Sequence, residues 1–376
     1  MDRMEAEDFS LFGLLGRSWT LEAPVVDLTF DNSDGAVAFT VKDGSVAIAK
    51  IKDQEPAARR IRISAEDGRS SILPRTKPLP PITRLSVQDG TPVTLTAYGK
   101  QGFVMGDALG ALTSLTIGGE RTPFSKPLPA PITAIVHAPE TGAIACATAD
   151  NRVHLLRGPK VDTEVLDHDA PIATLAFSPD GQQLSVACKE AVTQWKIEKT
   201  CTRQGELTPS RSPATLAWSP DQTHLALGQH DDGVTIWSMD DNEPIALPDY
   251  PAPVRSLAWS ENGDNLITSG AFRIIAWPTN TLKKNDESPT SLDTGKPSLA
   301  VIEAIVPHPS RPLVAAGYEN GMLIIAEIGK QDELIIKTEG QGAITAVKWS
   351  KDAGHLAIGS DQGLAAIIEL PIQLFK

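Results

Sequence analysis

The stretch LAFSPDG, residues 175–181, returns as LAWSPDQ at 216–222 and as LAWSENG at 257–263, at a constant interval of forty-one residues. A phrase repeated at that interval marks a structural unit used several times, so the period has to be settled before any residue in it is read as chemistry. With Leu175 as anchor, related segments stand on both sides: APVVDLTF (23–30), PITRLSV (81–87) and APITAIVH (130–137) upstream, VIEAIVPH (301–308) and AITAVKW (343–349) downstream. The anchors Leu28, Leu85, Ile135, Leu175, Leu216, Leu257, Ile305 and Val347 define eight units, spaced by 57, 50, 40, 41, 41, 48 and 42 residues.

Each unit reads as short strands joined by tight turns. IATLAF (172–177) alternates, with Ile172, Leu175 and Phe177 as its bulky members. SPDG follows as a turn, Pro179 fixing φ and Gly181 supplying a permissive last position. QLSVAC (183–188) and VTQWKI (192–197) are the second and third strands, and the fifth, sixth and eighth units repeat the pattern without any helical period. Units of this kind predict an all-β fold: a single closed β-propeller of eight four-stranded blades, or of seven if the second unit is only a decorated connection. TPVTLTAYGKQGFVMGDA (91–108) still reads as two strands around a turn, which favours eight.

Fourth, outer strands are expected at RRIRIS (59–64), TEVLDH (163–168), EPIALP (243–248) and ELIIKT (333–338). A similar piece, RSWTLE (17–22), precedes the first unit, whereas the chain runs only to PIQLFK after the eighth. The N-terminal strand is therefore expected to complete the last blade and close the ring, which removes exposed sheet edges. Residues 1–16 then form an extension and 17–376 the propeller. EDFSLFGLLG (7–16) is expected to plug a face, cover a neighbouring blade or dock onto a partner, and the polar insert TNTLKKNDESPTSLDTGKPS (279–298) reads as a loop.

The tryptophans test the alignment independently. Trp218, Trp259 and Trp349 fall two residues after their anchors, where Phe30 and Phe177 stand in other units; Trp195, Trp237 and Trp277 fall twenty or twenty-one residues after theirs. Residues that recur in two columns are packing residues between blades, not catalytic ones.

Bulk composition narrows the function classes. The 376 residues are 41% hydrophobic and 22% charged, the balance of a folded globular protein. A formal charge of −13 argues against nonspecific binding to nucleic acid or to anionic membrane. The most basic patch, AARRIRI (57–63), alternates like an edge strand. Cys146, Cys188 and Cys201 show no CxxC spacing, so neither a disulfide framework nor a zinc knuckle is implied, and the first two read as buried thiols. The N-terminal segment lacks the apolar core of a secretory signal, and no run approaches eighteen apolar residues. A cytoplasmic protein without membrane insertion is the expectation.

These repeats resemble the WD40 family, most clearly over 168–195, where His168 stands four before Ile172 and is followed by LAFSPDG, Glu190 in the second turn and Trp195 on the third strand. The resemblance implies a buried hydrogen-bond network of His, turn acid and Trp. It covers roughly 17–370 and departs from the family in most units. No unit carries the Trp-Asp dipeptide, only the fourth keeps the His, and Ala271 stands where the sixth would have its turn Asp.

The search for chemistry returns little. No G-x-S-x-G and no phosphate-cradling glycine loop occurs, the seven histidines are scattered, and QHDDG (229–233) reads as a tight turn. No cofactor or metal is implied. Family geometry places one residue per first strand toward the central channel on one rim: Val26, Thr83, Thr133, Ala173, Ala214, Arg255, Glu303 and Thr345. Asp43, Asp150, Glu190, Asp231, Asp232, Glu319 and Asp361 from the second turns share that rim. Each acid either binds its own turn amides or contributes to an acidic surface that steers a basic segment. The expected function is a non-enzymatic protein–protein scaffold. A channel-sited propeller enzyme, and a subunit of a larger assembly held through its outer strands, are the alternatives.

Overall fold

The structure is a computed structural model, and it describes residues 10–63, 70–86, 93–158, 163–209, 212–230, 233–240, 244–247, 250–282, 289–371 and 374. Eight antiparallel four-stranded sheets follow one another as blades 1 to 8. Their innermost strands are Val25–Phe30, Thr94–Ala97, Ile132–Ala138, Ile172–Phe177, Pro213–Trp218, Leu257–Trp259, Ile302–Pro307 and Ile344–Trp349. Apolar side chains form eight clusters, one between each adjacent pair of blades, the pair formed by blades 8 and 1 included. A closed ring of eight is the result.

The second strands explain themselves physically. Ala36–Val41 and Ala143–Thr148 are buried along their whole length, because each lies inside its sheet and has a neighbouring blade on either face. Such strands read as continuous small and β-branched runs. Glycine sets the blade spacing near the axis: a Cβ on Gly317 would lie 2.4 Å from Ile344 of the next blade, and one on Gly359 would lie 2.3 Å from Val25.

The two tryptophan columns pack as expected. Trp218, Trp259 and Trp349 join the clusters that their own blades form with the preceding ones, and Trp259 donates from Nε1 to the Ala217 carbonyl of blade 5 at 3.1 Å. Phe177 packs in the same manner on the cluster between blades 3 and 4. Trp237 and Trp277 are buried and Trp195 half-buried.

Ring closure is made by the N-terminal strand. Gly16–Thr20 pairs antiparallel with Leu364–Glu369, from Gly16 opposite Ile368 to Thr20 opposite Leu364, and supplies the outer strand of blade 8. Arg17 on this strand is buried and donates to the carbonyls of Lys50 and Ile51 at 3.0 and 2.9 Å, tying blade 8 to blade 1. Asp53 lies 3.7 Å from Arg17 and is also bonded by Arg75. Ahead of the strand a short helix, α1 (Leu11–Leu15), places Leu11, Phe12 and Leu15 on the cluster between blades 7 and 8. Of the three roles open to this segment, its described part covers a neighbouring blade.

Three expectations from the sequence are corrected. RRIRIS (59–64) does not supply the outer strand of blade 1; Ile61–Ile63 pairs with Ser70–Ile72 in a separate hairpin. That outer strand is Thr83–Leu85, which pairs with Val46–Lys50, so Leu85 anchors no blade. The first strand of blade 2 is Thr94–Ala97, with Leu95 as the true anchor opposite Met105. The segment 52–82 intervenes between the third and outer strands of blade 1, and the motif PIT recurs at 81–83 and 131–133 in different roles. In the insert 279–298, Leu292–Thr294 forms the outer strand of blade 6, while 283–288 lie outside the described residues. The outer strands of blades 3, 5 and 7 fall where expected, at Glu164–Asp167, Pro244–Leu247 and Glu333–Lys337.

Candidate interaction rim

In six blades the first strand carries a register shift at one residue: Val26, Thr133, Ala173, Ala214, Glu303 and Thr345. These coincide with six of the positions that the family geometry is expected to place toward the channel. A bulge leaves one residue unpaired and re-aims its side chain, so a column that the repeat wrote as ordinary strand becomes a ring of displaced side chains. Val26, Thr133, Ala173 and Thr345 are exposed, and Ala214 and Glu303 half-buried. Arg255 precedes the shortened first strand of blade 6 and is exposed. Thr83 departs from the set: it lies on the outer strand of blade 1, and the position equivalent to the others in blade 2 is the buried Val93.

The rim is held rigid by a recurring clamp. The N–H that opens the second turn donates to the carbonyl four residues before the anchor, as in Lys42 to Pro24 (2.9 Å), Ala149 to Pro131 (2.9 Å), His230 to Ser212 (3.1 Å), Glu319 to Val301 (2.9 Å) and Asp361 to Ala343 (3.0 Å). Turn and inter-blade loop thus move as one piece.

Several rim acids are engaged locally. Asp43 accepts from the Ser45 hydroxyl at 2.6 Å and the Ser45 amide at 2.9 Å, and that hydroxyl is the main reason its carboxyl sits below the usual range. Asp150 accepts from Thr148 Oγ1 at 2.6 Å and from Arg152 at 3.1 Å, with Thr148 the main cause of its lowered pKa. Glu319 accepts from the Val301 amide at 2.9 Å. Glu190 and Asp361 are exposed. Arg255 and Glu303, from adjacent blades, bond each other at 3.1 Å. Asp231 and Asp232 lie outside the described residues.

The buried network expected of blade 4 is present with a different hub. His168 Nε2 lies 3.0 Å from Thr193 Oγ1, Trp195 Nε1 donates to the same oxygen at 3.2 Å, and His168 Nδ1 faces the Leu166 carbonyl at 3.2 Å. Burial lowers the His168 pKa. Glu190 takes no part; Thr193 does its work, because a side chain on the third strand reaches both rings and the exposed turn does not. Blade 6 rebuilds the network where the sequence reading saw only loss. Tyr250 occupies the His168 column, its hydroxyl accepting from Trp277 Nε1 at 2.7 Å and meeting Thr268 Oγ1 at 2.7 Å. The signal was available: Tyr250 and Trp277 each stand eighty-two residues, two repeats, after His168 and Trp195.

The opposite rim holds the repeated turn. Ser178, Ser219, Ser260 and Ser350 each donate to an acid or amide two residues on, at 2.6–2.9 Å, and accept from the amide five residues on, at 2.9–3.0 Å. The phrase that opened the sequence is a strap. A cleft of about 400 Å³ between blades 6 and 7 lies among these turns, lined by Ser260, Asn262, Asp264, Ser310 and Arg311. No group of three or more His, Cys, Asp or Glu side chains placed to hold a metal occurs among the described residues. No helix among them is long and apolar enough to cross a membrane.

Comparison with known proteins agrees with this architecture. WD repeat-containing protein 1 of Gallus gallus is 30% identical over 153 residues, covering 38% of this chain and 25% of that protein. Transducin beta-like protein 3 of Mus musculus is 28% identical over 183 residues, covering 46% of this chain and 22% of that protein. The matched stretch spans about a quarter of the length of these curated relatives. The crystal structure of the computationally designed Ika8 protein superposes with a TM-score of 0.66 over 93% of this chain and 98% of that one, at 17% identity. No family model matches the chain. The class defined by ring, repeat and network is the β-propeller. Within that class, this chain is an eight-bladed propeller whose repeats are similar to those of WD repeat-containing proteins.

Proposed function

We propose that the chain is a non-enzymatic scaffold that takes a protein segment on the rim of bulged first strands and thereby assembles a cytoplasmic complex. The observation that carries this reading is the bulge column itself. Six blades carry a register shift at one residue of the first strand, and the residues there differ from blade to blade, while the clamps behind them repeat. A uniform scaffold with a varied, pre-ordered face suits recognition, since little ordering entropy remains to be lost on binding. The net charge of −13 and the acids on the rim favour a basic partner segment, with binding that weakens as salt rises. WD repeat-containing relatives support the interaction role.

Capture from native lysate with the parent chain, with a rim variant (Thr133→Arg/Thr345→Arg) and with an outer-strand variant (Ile335→Arg) tests this. Partners lost in the rim variant and kept in the outer-strand variant are expected. The converse result would assign binding to the outer edges, as for a subunit packed into a larger assembly.

A further inference from the structure

The second turn of blade 6 is apolar. Fifteen residues after the anchor it carries Phe272, next to the Ala271 named above, where blades 1, 3, 4 and 5 carry Asp43, Asp150, Glu190 and Asp231 and blades 2, 7 and 8 carry Gly110, Asn320 and Gln362. Phe272 is 44% exposed, and Leu299, on the adjoining loop, is 99% exposed. The two are brought together by backbone: the Ser298 amide donates to the Phe272 carbonyl at 2.8 Å, and the Ala300 amide is held by the Ser298 hydroxyl at 3.1 Å. A double clamp fixes the turn beneath them, Gly270 N–H to the Ile302 carbonyl and Ile302 N–H to the Ala271 carbonyl, both at 2.9 Å. Gly270 makes that approach possible: its φ is +85°, and a Cβ there would lie 2.7 Å from the Ala252 carbonyl oxygen. Glu303 follows Ile302 directly, so the apolar pair sits beside the rim carboxylate that Arg255 bonds.

A single exposed leucine means nothing. An aromatic and an aliphatic residue, both exposed and held on clamped backbone beside the Glu303 carboxylate, offer an apolar landing point where four sister blades carry a carboxylate. We infer that Phe272 and Leu299 form the anchor site of the rim. Its ligand is a peptide segment carrying one large apolar side chain with a Lys or Arg close by in sequence. The apolar side chain packs across Phe272 and Leu299. The cation meets Glu303, taking over or sharing the carboxylate from Arg255, which is 60% exposed and free to swing into water. This inference rests on the rim reading of function and specifies the partner's chemistry.

The experiment uses the full chain and a phage-displayed library of random twelve-residue peptides, panned at low salt. Enriched peptides are then synthesised with a fluorescein label and titrated by anisotropy. Enriched sequences are expected to place a Leu, Ile, Met, Phe or Trp within three residues of a Lys or Arg. Their affinity should fall at least tenfold in Leu299→Asp and in Phe272→Ala, and severalfold in Glu303→Gln. It should change less than twofold in Leu109→Asp, whose leucine is 67% exposed on the second turn of blade 2. Leu299 touches solvent on all sides, so its variant keeps the parent melting temperature and reads binding alone. Peptides that bind Leu299→Asp and Phe272→Ala as well as the parent, yet lose affinity in Thr133→Arg/Thr345→Arg, overturn the anchor and leave the rim reading intact. Failure to enrich peptides over uncoated wells, or enrichment indifferent to every rim variant, overturns both.

Discussion

Replacing Tyr250 by Phe isolates one oxygen atom. Tyr250, Thr268 and Trp277 are 6%, 0% and 7% exposed, so the hydroxyl removed is one that water cannot replace. Burial pushes this phenol far above the usual tyrosine range, so at any working pH it is protonated and uncharged. The variant leaves the Trp277 N–H and the Thr268 hydroxyl unsatisfied in the cluster between blades 5 and 6. Each such group costs about 1–3 kcal/mol, which sets the expected loss at about 3 kcal/mol. An unfolding entropy of about 2.1 cal/mol/K per residue gives about 0.8 kcal/mol/K for a chain of this length, so the melting temperature should fall by about 4 °C if the ring unfolds as one unit. Calorimetry on Tyr250→Phe, Thr268→Val and the double variant is the assay. The double variant should lose about 1 kcal/mol less than the sum of the singles, because the two hydroxyls serve each other. A Tyr250→Phe melting point within about 1 °C of the parent, or strict additivity in the cycle, would refute the network as a source of stability.

Four further outcomes are expected. Burial raises the Asp53 pKa, but the bond from Arg75, the Glu55 amide and the charge of Arg17 outweigh it and leave the carboxyl lowered; its stabilisation is therefore present above the ordinary value near ~3.9 and lost as pH falls through the folded one. Asp53→Asn should cost about 3 kcal/mol at neutral pH and almost nothing in strong acid, and a penalty of equal size at both would sink the ion-pair argument. Gly317→Ala should destabilise by about 1–3 kcal/mol through overpacking against Ile344, seen as a lower urea midpoint at unchanged slope. Ala353 adopts φ +59° in the column where Gly181 adopts +69°, so Ala353→Gly should be neutral to stabilising by about 1 kcal/mol, the relief of left-handed strain set against glycine's entropy. Burial pushes the Cys146 thiol up to about 12 and those of Cys188 and Cys201 to about 11; alkylation in native buffer should be slow at all three and fast after unfolding, as mass spectrometry will show.

The blades that were easiest to read are those whose turns depend on particular side chains. Ser178, Pro179, Asp180 and Gly181 each have a job in one reversal, so blades 4, 5 and 6 announce themselves by residue type. Blade 2 was misphased because its first strand, Thr94–Ala97, lacks that turn, and because a proline-led strand such as PITRL serves the outer edge of a sheet as well as the inner. The repeat singles out the column of shifted residues, yet nothing in Val26, Thr133 or Ala173 as residues foretells a bulge; it arises from strand pairing. Glu190 and Tyr250 show the limit of matching by residue type. The network asks for a hydrogen-bonding atom at a place, and Thr193 and Tyr250 supply it with side chains that the family pattern does not contain.

Blades 1 to 7 are each built from one stretch of chain, whereas blade 8 joins Gly16–Thr20 to Leu364–Glu369, a pairing of residues 352 apart in the register of Gly16 with Ile368. On a ribosome the strand Gly16–Thr20 is thus made before the blades and used after them. Closing a loop of that length costs about 5 kcal/mol of chain entropy when the chain is unstructured, a cost that falls as the intervening blades form and bring the ends together. Until then the Leu364–Glu369 edge is open, and the waiting strand of one nascent chain fits the open blade of another as well as its own. The same joint that seals the monomer therefore makes strand exchange between copies the natural failure of its assembly, favoured by crowding on a shared message.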